Sequence, residues 1–330
     1  MDFFTGIWPI YKTVAKLDIT KAGLIAGIAG CCGEMLQIFF GYFCDRGHRK
    51  KIMLLGLTLA SLMTFITFTT SLLTSFLILL LLTIGSSSFH PAAMGYASTL
   101  SRKHQAISIL LFASGGSIGL GISQLAFVHV ITVFDGHALI LFLPVLAVFT
   151  FLFLHRFPTP DHKPTAQSFR EFIRPILKSR GPLILLYCTQ VMSYFTVMAF
   201  VFLLPDLLHS RDCHSWLCRG GGHLCFILGS ATALPIAGVL SDKYGQKSVL
   251  LAVLSSALLL LYVFLSQPSL PVTSLIILLA TLGGTLASIN PIIVSWGNRL
   301  VPESPSTVSG LLMGFAWCVA NLGPLAAGFI

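Results

Sequence analysis

Long uninterrupted apolar runs recur along the whole of this 330-residue chain. A helix that crosses the hydrocarbon core of a bilayer needs roughly 17–25 such residues. The runs are continuous rather than alternating, which favours helices over barrel strands. We predict ten full membrane spans, at 22–43, 52–70, 73–97, 107–134, 138–154, 183–204, 220–240, 248–265, 275–294 and 307–330. A partial eleventh span is predicted within residues 1–15.

Charged side chains are scarce. They make up 9% of the chain, against about 25% in soluble domains. No stretch therefore predicts a soluble domain, and the fold class that we expect is an all-α integral membrane protein. Any chemistry must take place at bilayer depth or in short loops.

The Lys and Arg residues are distributed unevenly between the loops. Fifteen of the 20 lie in alternate loops, which the positive-inside rule places in the cytoplasm. We predict a multi-pass protein of the inner or plasma membrane, with loops 44–51 and 156–181 cytoplasmic. The net charge of +9 is then a topology signal. No nucleic-acid partner is expected, because no basic loop is interleaved with stacking aromatic residues.

The longest hydrophilic stretch, 156–181, is basic and contains proline. It separates the spans into two sets, so we predict an N-terminal bundle at 1–155, a cytoplasmic linker at 156–181 and a C-terminal bundle at 182–330. The second half of the linker is predicted to form an amphipathic helix on the membrane surface.

The eight cysteines show no metal-binding spacing. We therefore predict neither a metal site nor a cofactor. Cys213 and Cys218 share an outward loop, where a disulfide is one interpretation and two free thiols are the one we favour.

Several segments occur twice at nearly the same offset. The loop "GYFCDRGHRKK" is repeated as "GVLSDKYGQKS", and their aspartates, Asp45 and Asp242, are 197 positions apart. Pro91 and Pro291 each follow a polar residue inside an apolar helix and are 200 positions apart. The segments "SILLFASGGSIGLG" and "SGLLMGFAWCVANLG" match at an offset of 201. A duplicated set of spans around a midplane cavity is typical of transporters.

The repeat also sets an expected length. Two complete halves of about 200 residues would exceed the 330 residues present. We expect the chain to be a fragment that lacks most of its first helix and all of its last.

Each repeated loop has a glycine, an aspartate four residues later and then basic residues. Glycine lets neighbouring helices approach closely, and an aspartate just past a helix can pair with a base or with another helix N-terminus. We predict a gating motif rather than two plain basic turns, because the pattern occurs twice. The motif residues are Gly41, Asp45, Arg46, Arg49, Gly238, Asp242, Lys243 and Lys247.

Glu34 lies inside an apolar run, on a helix face shared with Gln37 and several glycines at spacings of three and four. A face of small and polar residues points into a bundle. An acid at that depth is a functional candidate by default, and burial favours its protonated form, which suits a proton carrier. The alternative is an acid paired structurally with a base.

His90 precedes Pro91 in an otherwise apolar helix. Proline frees a backbone carbonyl, and a helix break at bilayer depth is tolerated only against protein or a watery cavity. We predict that Pro91 and Pro291 break their helices and that His90 faces a cavity. For His129 and His223, which also lie in apolar runs, we favour a plain hydrogen bond to a neighbouring helix.

Further polar residues on the spans are candidates for lining the same cavity. They are Gln37, Gln190, Tyr194 and Asn290.

These segments resemble a known family. The stretch "GSSSFHPAAMG" resembles a motif of fosmidomycin-resistance-type transporters in the major facilitator superfamily, and the two Asp-Arg/Lys loops resemble the loop motif of that superfamily. "VSGLLMGFAWCVANLGPLAAG" resembles the family's eleventh helix. The resemblance implies a two-bundle fold with about 11 of 12 transmembrane helices present, the first one partial. The family's Gln-Pro step and its Gly-Gly-Asn are replaced here, by Gln37-Ile38 and Gly115-Gly116-Ser117.

The function that the resemblance implies is secondary active transport by alternating access. We expect proton-coupled efflux of a drug or metabolite by a monomer, with substrate, protons and lipid as its partners. A non-transporting remnant and an importer are the alternatives. An enzyme is not expected, because HExxH is absent and residues 85–88 lack the second glycine of an intramembrane serine protease motif.

Overall fold

A computed structural model of the protein describes residues 19–69, 71–101, 103–134 and 169–320, with single positions at 143, 150 and 322. The predicted span at 138–154, the partial span within 1–15 and the end of the last span lie outside the described residues.

The regular structure of the described residues is helical. The helices are α1 Ile19–Glu34, α2 Gln37–Phe43, α3 Arg49–Ser61, α4 Leu72–Leu100, α5 Gln105–Phe134, α6 Phe169–Lys178, α7 Arg180–Ser210, α8 Gly222–Tyr244, α9 Gln246–Ser266, α10 Val272–Leu300 and α11 Pro305–Ala320. A 3-10 helix, Leu62–Phe68, continues α3. Over their described residues, nine of the ten predicted spans fall on these helices, which confirms the assignment of the apolar runs.

Seven helical stretches within the described residues are long and apolar enough to cross a membrane. The first of them, Leu24–Phe68, contains non-helical dihedral angles at Arg46 and Gly47 and is therefore two helices joined by a turn. Outward-facing positions are apolar, as on α9, where Leu258 and Tyr262 are 71% and 68% exposed. Such side chains suit a lipid environment.

Each motif loop turns at a glycine with a positive φ. Gly47 follows Asp45 with a φ of 92°, and Gly245 follows Asp242 with a φ of 85°. A side chain at either position would be strained in this left-handed region, so glycine is required. The two turns differ in ψ, which is 2° at Gly47 and 145° at Gly245, so what the loops share is the need for glycine.

The helices run through the two motif prolines. Pro91 lies inside α4 and Pro291 inside α10, and both helices continue beyond them. The prediction that Pro91 and Pro291 break their helices is therefore wrong. Each proline only removes one backbone hydrogen bond from its helix, because it has no N–H group.

The chain forms two compact units, each assembled from separated segments. The described part of the first contains α1 to α3, most of α4, the later part of α5, α6 and the segment Glu303–Cys318, which holds most of α11. The second joins Ala97–Ile118 to Ser179–Pro302. The bundle boundaries at 1–155, 156–181 and 182–330 describe the duplication in the sequence and stay a prediction.

Small residues bring the helices of the first unit together. A Cβ added to Gly56 of α3 would lie 2.7 Å from the carbonyl oxygen of Gly85 in α4. Hydroxyl groups on α4 donate across to α1, from Thr83 to Ala29 O at 2.8 Å and from Ser87 to Gly33 O at 2.6 Å. Close packing and hydroxyl bonds of this kind hold helices together inside a bilayer.

The second unit uses the same devices between α8 and α10. Gly229 lies against the backbone of Ala280, and Gly283 lies against that of Phe226. Ser230 donates to Gly283 O at 3.0 Å. The duplicated sequence therefore yields comparable helix contacts in both units.

Candidate functional site

The predicted acid lies at an interruption of its helix. Glu34 is the last residue of α1 and Gln37 the first of α2, with Met35 and Leu36 in a turn between them. The turn is closed by a bond from Leu36 N to Gly33 O at 2.9 Å. The sequence predicted helix breaks at the prolines, whereas the structure shows one beside the acid.

Glu34 and Gln37 form a buried pair. The Gln37 Nε2 group donates to Glu34 Oε2, and the two residues are 8% and 0% exposed. Gln37 Oε1 is a buried acceptor without a hydrogen-bond partner among the described residues. Leaving such an atom unsatisfied costs about 1–3 kcal/mol, so this acceptor is available to a water, a protonated group or a substrate.

His90 is held in one orientation on α4. Its Nδ1 lies 3.0 Å from both the carbonyl oxygen and the hydroxyl of Ser86, one turn earlier. A neutral ring that donates from Nδ1 to the carbonyl carries its basic lone pair on Nε2. The ring of Trp317 packs edge-on against the imidazole with centroids 5.7 Å apart.

α11 joins these groups into one cluster. Its Trp317 contacts His90, and its Gly314 lies against the Gln37 side chain and the carbonyl oxygen of Glu34. The first unit thus gathers an acid, an amide, an imidazole and an indole from three segments of the chain. We call Glu34, Gln37, His90 and Trp317 the polar cluster. Sequence reasoning missed Trp317, although a lone indole in a helix of small residues was an available signal.

The polar candidates of the second unit include buried amides without partners. Gln190 on α7 is 1% exposed, and neither its Nε2 nor its Oε1 has a hydrogen-bond partner in the structure. Asn290 Oδ1, next to Pro291 on α10, is also buried without a partner. Tyr194 lies one turn beyond Gln190 on α7. Unsatisfied amides at bilayer depth favour a site for a polar ligand.

His223 behaves as the sequence predicted. Its Nε2 lies 2.9 Å from Val201 O on the neighbouring helix α7, which confirms a plain inter-helix hydrogen bond. The side chain of His129 lies outside the described residues.

The first motif loop caps α11. Asp45 accepts from Ser306 N at 3.0 Å and from Thr307 N and Oγ1, both at 2.8 Å. Its carboxylate therefore faces the positive end of that helix dipole. Arg49 bonds both Asp45 at 3.2 Å and Ser306 Oγ at 3.0 Å, and Gly41 lies against the Ser306 carbonyl.

The second motif loop caps α5 in the same manner. Asp242 accepts from Ala106 N at 3.1 Å and from Ile107 N at 2.9 Å. Arg299, at the end of α10, pairs with Asp242 at 2.6 Å and donates to Gln105 Oε1 at 3.2 Å. The predicted pairing of a motif aspartate with a helix N-terminus is thus confirmed in both loops.

The basic partner of the second aspartate comes from another helix. Four residues past Asp45 stands Arg49, whereas four past Asp242 stands Gln246. With its oxygen toward the guanidinium, the Gln246 amide accepts from Arg299 Nε at 2.6 Å. Arg299 therefore replaces the missing motif arginine, and sequence reasoning did not assign it this role.

The other predicted motif cations contact aromatic rings or lie exposed. Arg46 lies 4.4 Å from the centroid of the Tyr42 ring, and Lys243 lies 5.0 Å from that of Tyr244. Lys247 is exposed. The assignment of Lys243 and Lys247 to the gating motif stays a prediction.

All eight cysteines are free thiols. Cys218 Sγ lies 3.5 Å from Cys213 O, within one loop. Burial raises the pKa of the Cys213 thiol, and the neighbouring Cys218 raises it further. The structure therefore agrees with two thiols rather than a disulfide at this pair.

Two compact units of apolar helices, each with buried polar groups and a motif loop that caps a helix, are typical of a membrane carrier built from a duplicated bundle. A family model of the Major Facilitator Superfamily matches residues 1–324. The chain belongs to this superfamily, as its motifs indicated.

Two curated relatives match nearly the whole chain, one named as a resistance protein and one as an MFS-type transporter. The chain is 25% identical over 345 residues to the fosmidomycin resistance protein of Escherichia coli strain K12, with 98% of this chain and 81% of that protein covered. It is 23% identical over 344 residues to the MFS-type transporter YfnC of Bacillus subtilis strain 168, with 98% and 80% covered.

Two solved structures share the fold. The human organic anion transporter MFSD10 (TETRAN) superposes with a TM-score of 0.72 at 20% identity, covering 98% of this chain and 82% of that one. The E. coli fucose:proton symporter FucP superposes with a TM-score of 0.66 at 15% identity, covering 99% and 93%. At these identities the likeness concerns the fold alone.

Proposed function

We propose that this protein is a proton-coupled secondary transporter that exports a small organic molecule across the inner or plasma membrane. The observation that carries the proposal is the buried Glu34–Gln37 pair at the junction of α1 and α2. Burial inside the membrane favours the neutral form of an acid, and a helix interruption beside the acid can admit water. It can therefore bind a proton on one side and release it on the other.

The polar cluster supplies the remaining parts of a coupled site. His90 is fixed by Ser86, so its Nε2 has a defined direction, and Gln37 Oε1 is an open acceptor. Substrate binding that changes the hydration of Glu34 would change its proton occupancy. Gln190, Tyr194 and Asn290 are the proposed substrate-contacting groups of the second unit.

The motif loops are the proposed gate. Asp45 holds the N-terminus of α11 through three hydrogen bonds, and α11 also carries Trp317 of the polar cluster. A conformational change that releases the cap moves α11 and with it one wall of the cluster. The loop bonds and the exposure of the cluster are thereby coupled.

The proposed substrate class rests on the name of a relative more than on the geometry of the site. One relative is named for resistance to fosmidomycin, which is a phosphonate and therefore an organic anion at neutral pH. We propose a small organic anion exchanged for protons by a monomer, with loops 44–51 and 156–181 in the cytoplasm. The direction of substrate flux distinguishes an importer from the proposed exporter.

The test is collapse of a pH gradient in everted membrane vesicles. Vesicles that contain the protein are acidified inside by respiration, and organic anions including fosmidomycin are added one at a time while a fluorescent dye reports the internal pH. We expect at least one compound to dissipate the gradient. Empty-vector vesicles are the control, and a response equal to theirs for every compound would favour a non-transporting remnant or another coupling ion.

Replacing Asp45 with Asn is expected to slow transport by about tenfold while leaving substrate affinity nearly unchanged. The amide keeps the size of the side chain but removes the charge that faces the α11 dipole and Arg49. The rate and the half-saturating concentration of gradient collapse measure the two effects separately. Asp212→Asn, in the opposite loop, is the control. A large loss of affinity with normal cycling would contradict the gating role.

A further inference from the structure

α11 lies against α1 and α2 along a contact that we call the α11 seam. Every fourth residue of α11 faces a residue of the α1–α2 segment, and the order is antiparallel. The facing pairs are Ser306 with Gly41, Gly310 with Gln37, Gly314 with Glu34 and Gln37, and Cys318 with Cys31.

The seam brings backbone against backbone. A Cβ added to Gly310 would lie 2.5 Å from Gln37 O, and one added to Gly314 would lie 2.5 Å from Glu34 O. The Asp45 cap closes one end of the seam. The two cysteines lie at the other end.

The cysteine pair is in contact. Cys31 Sγ and Cys318 Sγ are 2.8 Å apart, although 287 positions separate the residues in the sequence. Both side chains are partly exposed, and both are free thiols. Neighbouring thiols that are accessible to an oxidant are suited to disulfide formation.

We propose that Cys31 and Cys318 form a reversible disulfide when the cell meets hydrogen peroxide, and that this bond holds α11 against α1 and α2 and arrests transport. The arrest rests on the proposed function, because it requires that α11 move away from α1 and α2 during the cycle. The disulfide itself does not depend on transport.

One molecule of hydrogen peroxide is enough to oxidise the two thiols to a disulfide. One thiol gives up its proton and attacks an oxygen of hydrogen peroxide, so the O–O bond breaks, a sulfenic acid forms, and the released hydroxide takes up the proton and leaves as water. The second thiol attacks the sulfenic sulfur, the S–O bond breaks, the S–S bond forms and a second water leaves. The two thiols lose two electrons and two protons in total, and a cellular dithiol restores them by exchange.

Crosslinking is tested with a protease site placed in the linker 156–181, between the two cysteines. Membranes are treated with hydrogen peroxide, blocked with an alkylating agent, cleaved and run on a non-reducing denaturing gel. We expect the two fragments to stay joined in the wild type and in Cys32→Ser, a control at the exposed neighbouring cysteine. They should separate in Cys31→Ser, in Cys318→Ser and after dithiothreitol.

Two results would overturn the site. One is separation of the fragments in oxidised wild type, and the other is joined fragments in Cys318→Ser, which would place the bond elsewhere. Insertion of each variant is checked first by its level in the membrane fraction.

Arrest is tested in the vesicle assay with the same variants. Peroxide should lower gradient collapse by about tenfold in the wild type, dithiothreitol should restore it, and Cys31→Ser should be insensitive. Full transport by the crosslinked protein would refute the arrest. Absence of transport in reduced wild type would instead refute the proposed function, while the gel would still decide whether the disulfide forms.

Discussion

Replacing Glu34 with Gln is expected to reduce pH-gradient-driven net transport to the level of empty vesicles, a fall of about tenfold or more. The amide resembles a permanently protonated acid, and it can still bond the Gln37 side chain that Glu34 accepts from. The protein should therefore insert and bind its substrate but lose the proton that couples the two fluxes. Exchange of labelled for unlabelled substrate without a gradient should persist.

The control for this variant is Glu303→Gln. Glu303 is an exposed acid in the turn before α11, so its neutralisation should leave gradient-driven transport near the wild-type rate. Loss of exchange together with net flux in Glu34→Gln would indicate that Glu34 binds the substrate. Gradient-driven flux at the wild-type rate would remove Glu34 from the coupling mechanism.

Much of the fold could be predicted from the sequence, because a bilayer fixes the length and polarity of each helix. Nine predicted spans coincide with described helices. The motif loops could also be recognised, since a glycine, an aspartate and a basic residue at a fixed spacing are compatible with few structural roles. The sequence did not show which helix each aspartate caps, because Asp45 and Ser306 lie 261 positions apart and come together only through tertiary packing.

The details of the candidate site were harder to predict. Proline marks a missing hydrogen bond, yet α4 continues past Pro91, whereas the turn at Met35 and Leu36 has no proline to signal it. Trp317 and Arg299 lie far in the sequence from the groups that they contact. Single-helix periodicity shows which face points inward, but it does not show which side chain from another helix arrives there.

Packing of α11 explains why its small residues matter as much as its polar ones. Gly314 stands where the helix passes the Glu34–Gln37 pair, and two of the three atoms nearest an added Cβ belong to Gln37 and one to the Glu34 backbone. The position therefore links the shape of the seam to the geometry of the proton-binding candidate. A side chain there can be accommodated only by moving α11 or the α1–α2 junction.

Replacing Gly314 with Leu is accordingly expected to lower transport by about tenfold or more and to destabilise the protein by about 1–3 kcal/mol, the usual cost of overpacking. Gly27→Leu is the matched control, since an added Cβ at that position on α1 meets no atom of the described residues within 4 Å. Vesicle transport and thermal unfolding in detergent measure the two effects. If Gly314→Leu behaved like Gly27→Leu in both assays, the seam would not hold α11 against the acid, and the argument that links the gate to the polar cluster would fail with it.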